Sequence, residues 1–367
     1  MRIAQVAPLY ESVPPKLYGG TERVVSWLTE ELVRLGHEVT LFASGDSLTK
    51  ARLIPVCPES LRLSPDCVDQ LAHHMVLLES VLHERDNFDL IHFHIDYLHF
   101  PLSRREKYTH VSTLHGRLDI PDLAPLYEIY RDMPVISISN AQRDPLPDLN
   151  WQGTVHHGLP EKSFKFYPKG GGYLAFLGRV SPEKGVDCAM AIARAAGMPL
   201  KIAAKIDKTD QEYFESCIEP LIDGREVEFI GEVGFPGKNE FLGNAAALLF
   251  PIAWPEPFGL VMIEAMACGT PVIAYPFGSV PEVMEDQVSG FIVSDLKSAV
   301  ESVKNIEQID RKKVRRHFQE NFTAERMAED YLRIYQRLLS RKEKMAPRAV
   351  ADGVLSWTKL ASPSSTT

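Results

Sequence analysis

The sequence is poor in cysteine and lacks a long apolar run. Its 367 residues include five cysteines, an odd number, and no two of them stand at metal-ligand spacing. We therefore expect no disulfide framework, and the composition fits a reducing cytosol. Residues 1–10 are apolar but short, and they lack the cleavage region of a signal peptide. No segment reaches the roughly 18 uncharged apolar residues of a membrane-spanning helix. These absences predict a cytoplasmic protein without a transmembrane segment.

Positive charge is also scarce. The chain carries 40 Lys and Arg against 49 Asp and Glu, which gives a formal net charge of −9. Nucleic-acid binders show a basic surplus, so this balance argues against a nucleic-acid partner. It argues less strongly against docking on an anionic membrane, and a peripheral membrane contact stays open. The length exceeds that of one ordinary domain, and 45% hydrophobic residues can fill two cores.

Several chemical signatures are missing. The dinucleotide fingerprint Gly-x-Gly-x-x-Gly does not occur, which argues against NAD. The phosphate loop Gly-x-x-x-x-Gly-Lys and the serine-nucleophile pattern Gly-x-Ser-x-Gly are absent too. No Asp-x-Asp occurs, which removes the usual route to a metal-chelated diphosphate. We therefore expect no metal and no other cofactor.

The chain does show a regular alternation of strands and helices. Residues 2–7 predict a strand, residues 21–35 a helix and residues 38–43 a second strand. This order is a βαβ unit, which predicts a parallel sheet. Further strands of the first half are predicted at residues 89–94, 110–114, 134–139 and 153–156, and helices at residues 69–83 and 124–131.

A break follows at residues 167–172, where three glycines come after a proline and indicate a hinge. The second half repeats the α/β rhythm, with strands predicted at residues 173–179, 199–204, 227–230, 247–251, 271–274 and 290–293. We therefore predict an α/β protein of two Rossmann-like, doubly wound domains facing across a ligand-binding cleft. The predicted parts are a first domain at 1–168, a second at 169–322, a terminal helix at 323–345 and a disordered tail at 346–367.

The strongest motif spans residues 255–271, PEPFGLVMIEAMACGTP. Residues 259–268 are apolar almost all round, which predicts a buried helix. Glu264 lies inside it, and a buried carboxylate needs a hydrogen-bonding partner. Paired ribose hydroxyls would serve, and so would a buried Arg or Lys. Glu256 lies eight residues earlier in the preceding loop, where it contacts a sugar or only caps the helix.

The start of this helix offers unpaired backbone N–H groups at Phe258, Gly259 and Leu260, which can bind anionic or hydroxyl oxygens. A second motif, Gly-Arg-Val-Ser-Pro-Glu-Lys-Gly at residues 178–185, follows the first strand of the second domain. Its two cations, Arg179 and Lys184, can hold a diphosphate and stabilise the charge that develops on it. The alternative is an exposed turn with solvated charges.

Shorter motifs follow strands of the first domain. Gly19 and Gly20 let the backbone approach a phosphate or sugar, or they form a plain turn. His115, in Thr-Leu-His-Gly, hydrogen-bonds a sugar or is structural. Two other histidines, His92 and His94, alternate along one strand without a third metal ligand, so we expect them to pack in the core or at the cleft edge. The His-His-Gly at residues 156–158 indicates a hinge-side turn.

Together these motifs resemble glycosyltransferase family 4, a retaining group with the GT-B fold. The resemblance covers residues 1 to about 344. It implies that Arg179 and Lys184 bind the donor diphosphate and that Glu264 binds the ribose hydroxyls. It also implies that Glu256 contacts the donor sugar, assisted by the backbone of residues 258–260. By the same resemblance, the donor phosphate is bordered by Gly19 and Gly20, and the donor sugar is reached by His115.

The family resemblance further implies transfer with retention and without metal, in which the leaving phosphate helps to take the acceptor proton. The terminal helix would cross back onto the acceptor-side first domain. Residues 36–46 resemble bacterial members that use UDP-glucose or related donors. We therefore predict hexose transfer, with glucose as first choice, from a UDP-sugar to a small-molecule or glycan acceptor. The alternatives are a nucleotide-sugar epimerase or phosphorylase on a similar fold and a non-catalytic sugar-nucleotide-binding protein.

Overall fold

The structure is a computed structural model, and it describes residues 1–16, 19–62 and 64–345. The predicted tail at 346–367 lies outside these residues, and so does Tyr18, which precedes Gly19 and Gly20. Within them, the chain forms two parallel sheets with helices packed around each. The predicted α/β architecture of two doubly wound domains is confirmed.

The first sheet has seven strands in the order β3-β2-β1-β4-β5-β6-β7, and neighbouring strands are parallel. Its strands are β1 Arg2–Val6, β2 Glu38–Ala43, β3 Arg52–Pro55, β4 Leu90–Phe93, β5 His110–Thr113, β6 Val135–Ser137 and β7 Trp151–Thr154. The helices of this half are α1 Gly20–Arg34, α2 Gln70–Glu84, α3 Phe100–Ser103 and α4 Leu123–Ile129.

The second sheet has six parallel strands in the order β10-β9-β8-β11-β12-β13. They are β8 Leu174–Arg179, β9 Leu200–Lys205, β10 Val227–Gly231, β11 Ala247–Phe250, β12 Val272–Ala274 and β13 Gly290–Ile292. The remaining helices are α5 Val186–Ala196, α6 Gln211–Tyr213, α7 Phe235–Gly243, α8 Leu260–Cys268, α9 Val280–Val283, α10 Leu296–Lys304, α11 Arg311–Asn321 and α12 Ala324–Met345.

The edge strand β3 is an addition to the predicted elements. The sequence predicts no strand between residues 43 and 89, but residues 52–55 pair in register with β2. None of the four side chains of β3 is buried, because the strand lies at the sheet edge. An edge strand of this kind lacks the apolar alternation that makes a strand visible in a sequence.

Helix α8 lies in the core of the second half. It packs against α7, α11 and strands β11 and β12, and its residues from Met262 to Cys268 are buried. A helix that is apolar all round has to be covered on every side, and these four elements cover it. Left-handed glycines stand at both ends, Gly259 with φ 75° and Gly269 with φ 81°. The second glycine terminates the helix in the manner of a left-handed C-terminal cap.

The terminal helix α12 returns to the first half, as predicted. It packs against α1, and Arg34 forms an ion pair with Glu325 at 2.6 Å. The buried tyrosines Tyr331 and Tyr335 of α12 hydrogen-bond to side chains of the first sheet. Within the described ranges, no helix is long and apolar enough to cross a lipid bilayer.

Candidate active site

A cavity of about 470 Å³ lies between the two halves of the protein. This volume is within the range of pockets that bind small molecules. Its walls come from the carboxyl ends of strands in both sheets and from the N-termini of α1 and α8. All ten predicted site residues line it: Gly19, Gly20, His115, Arg179, Lys184, Glu256, Phe258, Gly259, Leu260 and Glu264.

Two helix N-termini, those of α1 and α8, meet in the wall of this cavity. A Cβ placed on Gly20 at the start of α1 would lie 3.5 Å from Cδ1 of Leu260 at the start of α8. No side chain caps either helix in the described residues. Helix N-termini carry partial positive charge and unpaired N–H groups, so this part of the cavity favours an anionic group.

Glycine is required where these two helices begin. Gly19 has φ 149°, and a Cβ there would lie 2.8 Å from Cβ of Pro15. Gly259 has φ 75°, and its Cβ would lie 2.8 Å from Cε of Met262 and 3.0 Å from Cζ of Phe250. Both the backbone angle and the close neighbours therefore exclude a larger residue.

The buried carboxylate of Glu264 has a cation beside it. Nζ of Lys238 on α7 lies 2.8 and 3.0 Å from the two oxygens, and the Glu264 side chain is only 3% exposed. Of the two partners that the sequence left open, a lysine is thus present, and its side chain is half-buried. Lys238 was not predicted as a site residue. The sequence indicated only that a buried carboxylate at Glu264 needs a partner, not which residue supplies it. The ammonium leaves other lone pairs of the carboxylate free for ribose hydroxyls.

The second glutamate, Glu256, forms an ion pair with Lys184. The Lys184 ammonium also lies 4.7 Å from the centre of the Trp254 ring, at cation–π distance. A one-turn 3₁₀ helix and Gly185 position this lysine; Gly185 has φ 70°, and a Cβ there would lie 2.2 Å from the carbonyl oxygen of Pro251.

The other predicted diphosphate cation, Arg179, stands at the end of β8 among three carboxylates. It donates to Glu183 at 2.7 Å, and Asp207 and Asp210 lie within 3.8 and 3.7 Å of its guanidinium. Neither aspartate was predicted as a site residue. Both follow β9, which is distant from Arg179 in sequence and becomes its neighbour only in the folded sheet. These contacts hold the guanidinium at the cavity wall.

His115 follows β5, on the opposite wall of the cavity. Burial between the two halves lowers the pKa of its imidazole to about 3, so the ring is neutral. The ring stacks on His157 with centroids 5.4 Å apart, and His157 in turn lies 4.7 Å from the Phe258 ring. The sequence predicts a hinge-side turn at residues 156–158. In the structure, His157 of this segment lines the cavity wall.

The two histidines expected in the core or at the cleft edge pack as predicted. His92 and His94 are buried and hydrogen-bonded to neighbouring side chains. In the ranges that the structure describes, no group of three His, Cys, Asp or Glu side chains is arranged to hold a metal ion.

The part of the cavity wall that comes from the first half also carries acidic residues. These were not predicted as site residues from the sequence. Glu11 is buried and forms an ion pair with Arg62. Glu22, in the first turn of α1, is 5% exposed, and burial raises the pKa of its carboxyl to about 7. Together with Tyr10, these side chains line the cavity.

Comparisons with known proteins agree with this geometry. Residues 161–324 match the family of glycosyl transferases group 1, and residues 18–151 match Glycosyltransferase Family 4. An uncharacterized glycosyltransferase of Methanocaldococcus jannaschii is 25% identical over 343 residues, which cover 80% of this chain and 85% of that protein.

Solved structures show the same architecture. AviGT4, a glycosyltransferase involved in avilamycin A biosynthesis, superposes with a TM-score of 0.72 at 25% identity, covering 93% of this chain and 98% of that one. HepE of Anabaena, solved in complex with UDP-glucose, superposes with a TM-score of 0.69 at 17% identity. The superposition covers 94% of this chain and 100% of the HepE chain. The chain is therefore a glycosyltransferase of the GT-B fold and belongs to the family 4 group.

Proposed function

We propose that this glycosyltransferase moves a hexose, with glucose as first choice, from a UDP-sugar to a small-molecule or glycan acceptor. It does so with retention of configuration and without a metal ion. The observation that carries the proposal is the cavity into which two helix N-termini, two basic side chains and two glutamates all face.

The donor fits this cavity in one direction. Glu264, at the buried end, offers lone pairs to the ribose hydroxyls beside its Lys238 contact. The diphosphate then lies beside the two helix N-termini, next to Arg179 and Lys184. This order brings the sugar toward Glu256 and His115. The choice of UDP-glucose is supported by HepE, a protein of the same fold that binds UDP-glucose.

Positive charge for the leaving diphosphate comes from protein side chains in this proposal. Arg179 and Lys184 stabilise the developing charge through fixed, preorganised contacts. The ammonium of Lys184 is already held by Glu256 and Trp254, so little reorganisation accompanies donor binding. This arrangement supports transfer without a metal ion.

Retention is proposed to occur by same-face substitution. The carboxylate of Glu256 is neutralised by Lys184, which makes it a weak nucleophile and favours a sugar-binding role. The bond from the anomeric carbon to the phosphate oxygen breaks, and the acceptor oxygen bonds to the same face. The acceptor proton passes to the leaving phosphate. The acceptor enters along the wall formed by Tyr10, Glu22 and Arg62.

The test combines donor binding with product analysis. Thermal-shift measurements over a panel of sugar nucleotides should show the largest stabilisation with UDP-glucose. Transfer from UDP-glucose to acceptors in an extract should then continue in EDTA and give an α-linked product by NMR. Strict dependence on added Mg²⁺ or Mn²⁺, or a β-linked product, would contradict the mechanism. A changed sugar nucleotide without any acceptor product would indicate an epimerase, and binding without turnover a non-catalytic protein.

A further inference from the structure

Buried hydrogen bonds join the terminal helix to the histidine in the cavity. The Tyr335 hydroxyl of α12 accepts from Nε2 of Gln5 on β1 at 3.3 Å. Oε1 of Gln5 lies 2.7 Å from Nε2 of His94, and Nδ1 of His94 lies 2.9 Å from Nε2 of His115. Gln5, His94 and Tyr335 are at most 2% exposed, so water does not compete for these bonds.

A second arm starts from the same tyrosine and fixes the direction of the bonds. The Tyr335 hydroxyl lies 2.7 Å from Nδ1 of His92, and Nε2 of His92 lies 2.7 Å from Oγ1 of Thr113. Oγ1 of Thr113 donates to the Tyr331 hydroxyl at 3.1 Å. A tyrosine hydroxyl has one hydrogen, and the short contact with His92 takes it. The Tyr335 oxygen is then an acceptor for the amide nitrogen of Gln5, which turns the amide oxygen toward His94.

The amide orientation of Gln5 determines the tautomers of two histidines in succession. Burial holds the pKa of His94 well below its usual value and that of His115 at about 3, so both rings are neutral. A neutral imidazole has one N–H and one acceptor nitrogen. His94 uses its Nε2–H for Gln5, so its Nδ1 accepts the Nε2–H of His115. Nδ1 of His115 is then left with a lone pair.

That lone pair is buried and available to a ligand. Nδ1 of His115 has no hydrogen-bond partner in the part of the chain that the structure describes, and the residue lines the donor cavity. A buried acceptor without a partner costs free energy until a ligand supplies a donor. A hydroxyl group can supply that hydrogen, whereas a phosphate dianion or a carbonyl oxygen cannot.

We propose that Gln5 and His94 are positioning residues that hold His115 as its Nε2–H tautomer, so that Nδ1 accepts a hydrogen bond from a hydroxyl of the donor sugar. The identity of the ligand rests on the proposed function. The tautomer itself is a property of the free protein, so the two parts can be tested separately.

The first experiment measures the tautomer without any ligand. Protein labelled with ¹⁵N-histidine is studied by NMR, with the His115 signals assigned by their loss in His115→Asn. The ¹⁵N shifts should show hydrogen on Nε2 alone. Gln5→Met removes both polar ends of the amide and should give a mixture of tautomers. Tyr173→Phe is the control: it deletes a partly buried hydroxyl that donates to the carbonyl of Phe241 in the second half, outside this network, and should leave the single tautomer unchanged. Tyr335→Phe replaces Gln5→Met if that variant fails to fold.

The second experiment uses UDP-glucose and its deoxyfluoro analogues as calorimetric probes. Fluorine accepts but does not donate a hydrogen bond, so the analogue altered at the hydroxyl that faces Nδ1 should bind about tenfold more weakly. That selectivity should disappear in His115→Phe, which keeps a ring but has no acceptor nitrogen. Gln5→Met should weaken UDP-glucose binding about fivefold, and Tyr173→Phe should leave it unchanged.

These results separate the two claims. Hydrogen on Nδ1 of His115 in the wild type, or a tautomer unaffected by Gln5→Met in the folded protein, overturns the positioning role. Equal binding of UDP-glucose and all the fluoro analogues overturns the acceptor role of Nδ1. If no nucleotide sugar binds while the tautomers behave as expected, the proposed function fails and the positioning role stands.

Discussion

Lys238 contacts both carboxylate oxygens of Glu264, at 2.8 and 3.0 Å, and so joins α7 to α8 beside the donor cavity. The contact explains how a helix that is apolar all round contains a charged residue. It also means that this carboxylate is compensated before any ligand binds. In the proposed donor complex, a ribose would add hydrogen bonds to a carboxylate that already has a counter-ion.

We expect Lys238→Met to destabilise the protein by about 3–5 kcal/mol, because it leaves the Glu264 carboxylate buried and unpaired. The double variant Lys238→Met/Glu264→Gln should recover most of that loss but bind UDP-glucose poorly. Urea unfolding and calorimetry measure the two effects. Equal stability of Lys238→Met and the wild type would show that the pair does not compensate the buried charge.

Arg179→Ala and Lys184→Ala should each lower kcat by about 10³-fold, because each removes a cation that stabilises the leaving diphosphate. Circular dichroism should show both variants folded. Lys201→Ala is the matched control, since Lys201 stands on the neighbouring strand β9 and contacts Glu228 and the Tyr173 ring outside the cavity. Full activity in either site variant would remove the diphosphate assignment.

The raised pKa of Glu22 makes stability depend on pH. The folded carboxyl titrates at about 7 and the unfolded one near 4.5, so between these values the folded state holds a proton that the unfolded state has lost. The Glu22 carboxyl should therefore lower stability by about 3 kcal/mol as pH rises from about 4.5 to 7. This effect adds to that of Asp96, whose pKa burial raises to about 6.

Urea unfolding of Glu22→Gln across this pH range provides the test, because the variant should lose that slope. The exposed Glu79→Gln is the control and should retain it. A Glu22→Gln variant with the wild-type slope would show that the burial of this carboxyl does not govern its titration.

Gly259→Ala should abolish measurable binding of UDP-glucose. The added Cβ meets Met262 and Phe250, and the left-handed angle at the start of α8 becomes strained. Gly197→Ala separates strain from site geometry: Gly197 also has a left-handed φ, 67°, but a Cβ there meets nothing within 4 Å. The control should lose about 1 kcal/mol of stability and keep its donor affinity. Calorimetry that finds normal donor affinity in Gly259→Ala would contradict this role of the helix start.

The sequence predicted most of the fold because its strands are apolar and its helices are regularly spaced. The exception, β3, is an edge strand without a buried side chain. Within the site, Arg179, Lys184, Glu256 and Glu264 were identified because they lie in two continuous motifs. His157 was not, because nothing in a His-His-Gly turn tells which ring faces a cavity.

By itself, the sequence determined the two α/β halves, the buried helix α8 and its embedded carboxylate, since these depend on local periodicity. Only the tertiary structure decided which groups from distant segments meet. It placed Lys238 on Glu264 and Asp207 and Asp210 near Arg179, and it linked Tyr335 to His115 through Gln5 and His94. The physical reason is that a buried charged or polar group needs a partner, which the sequence can indicate. Which residue becomes that partner depends on how distant segments pack together.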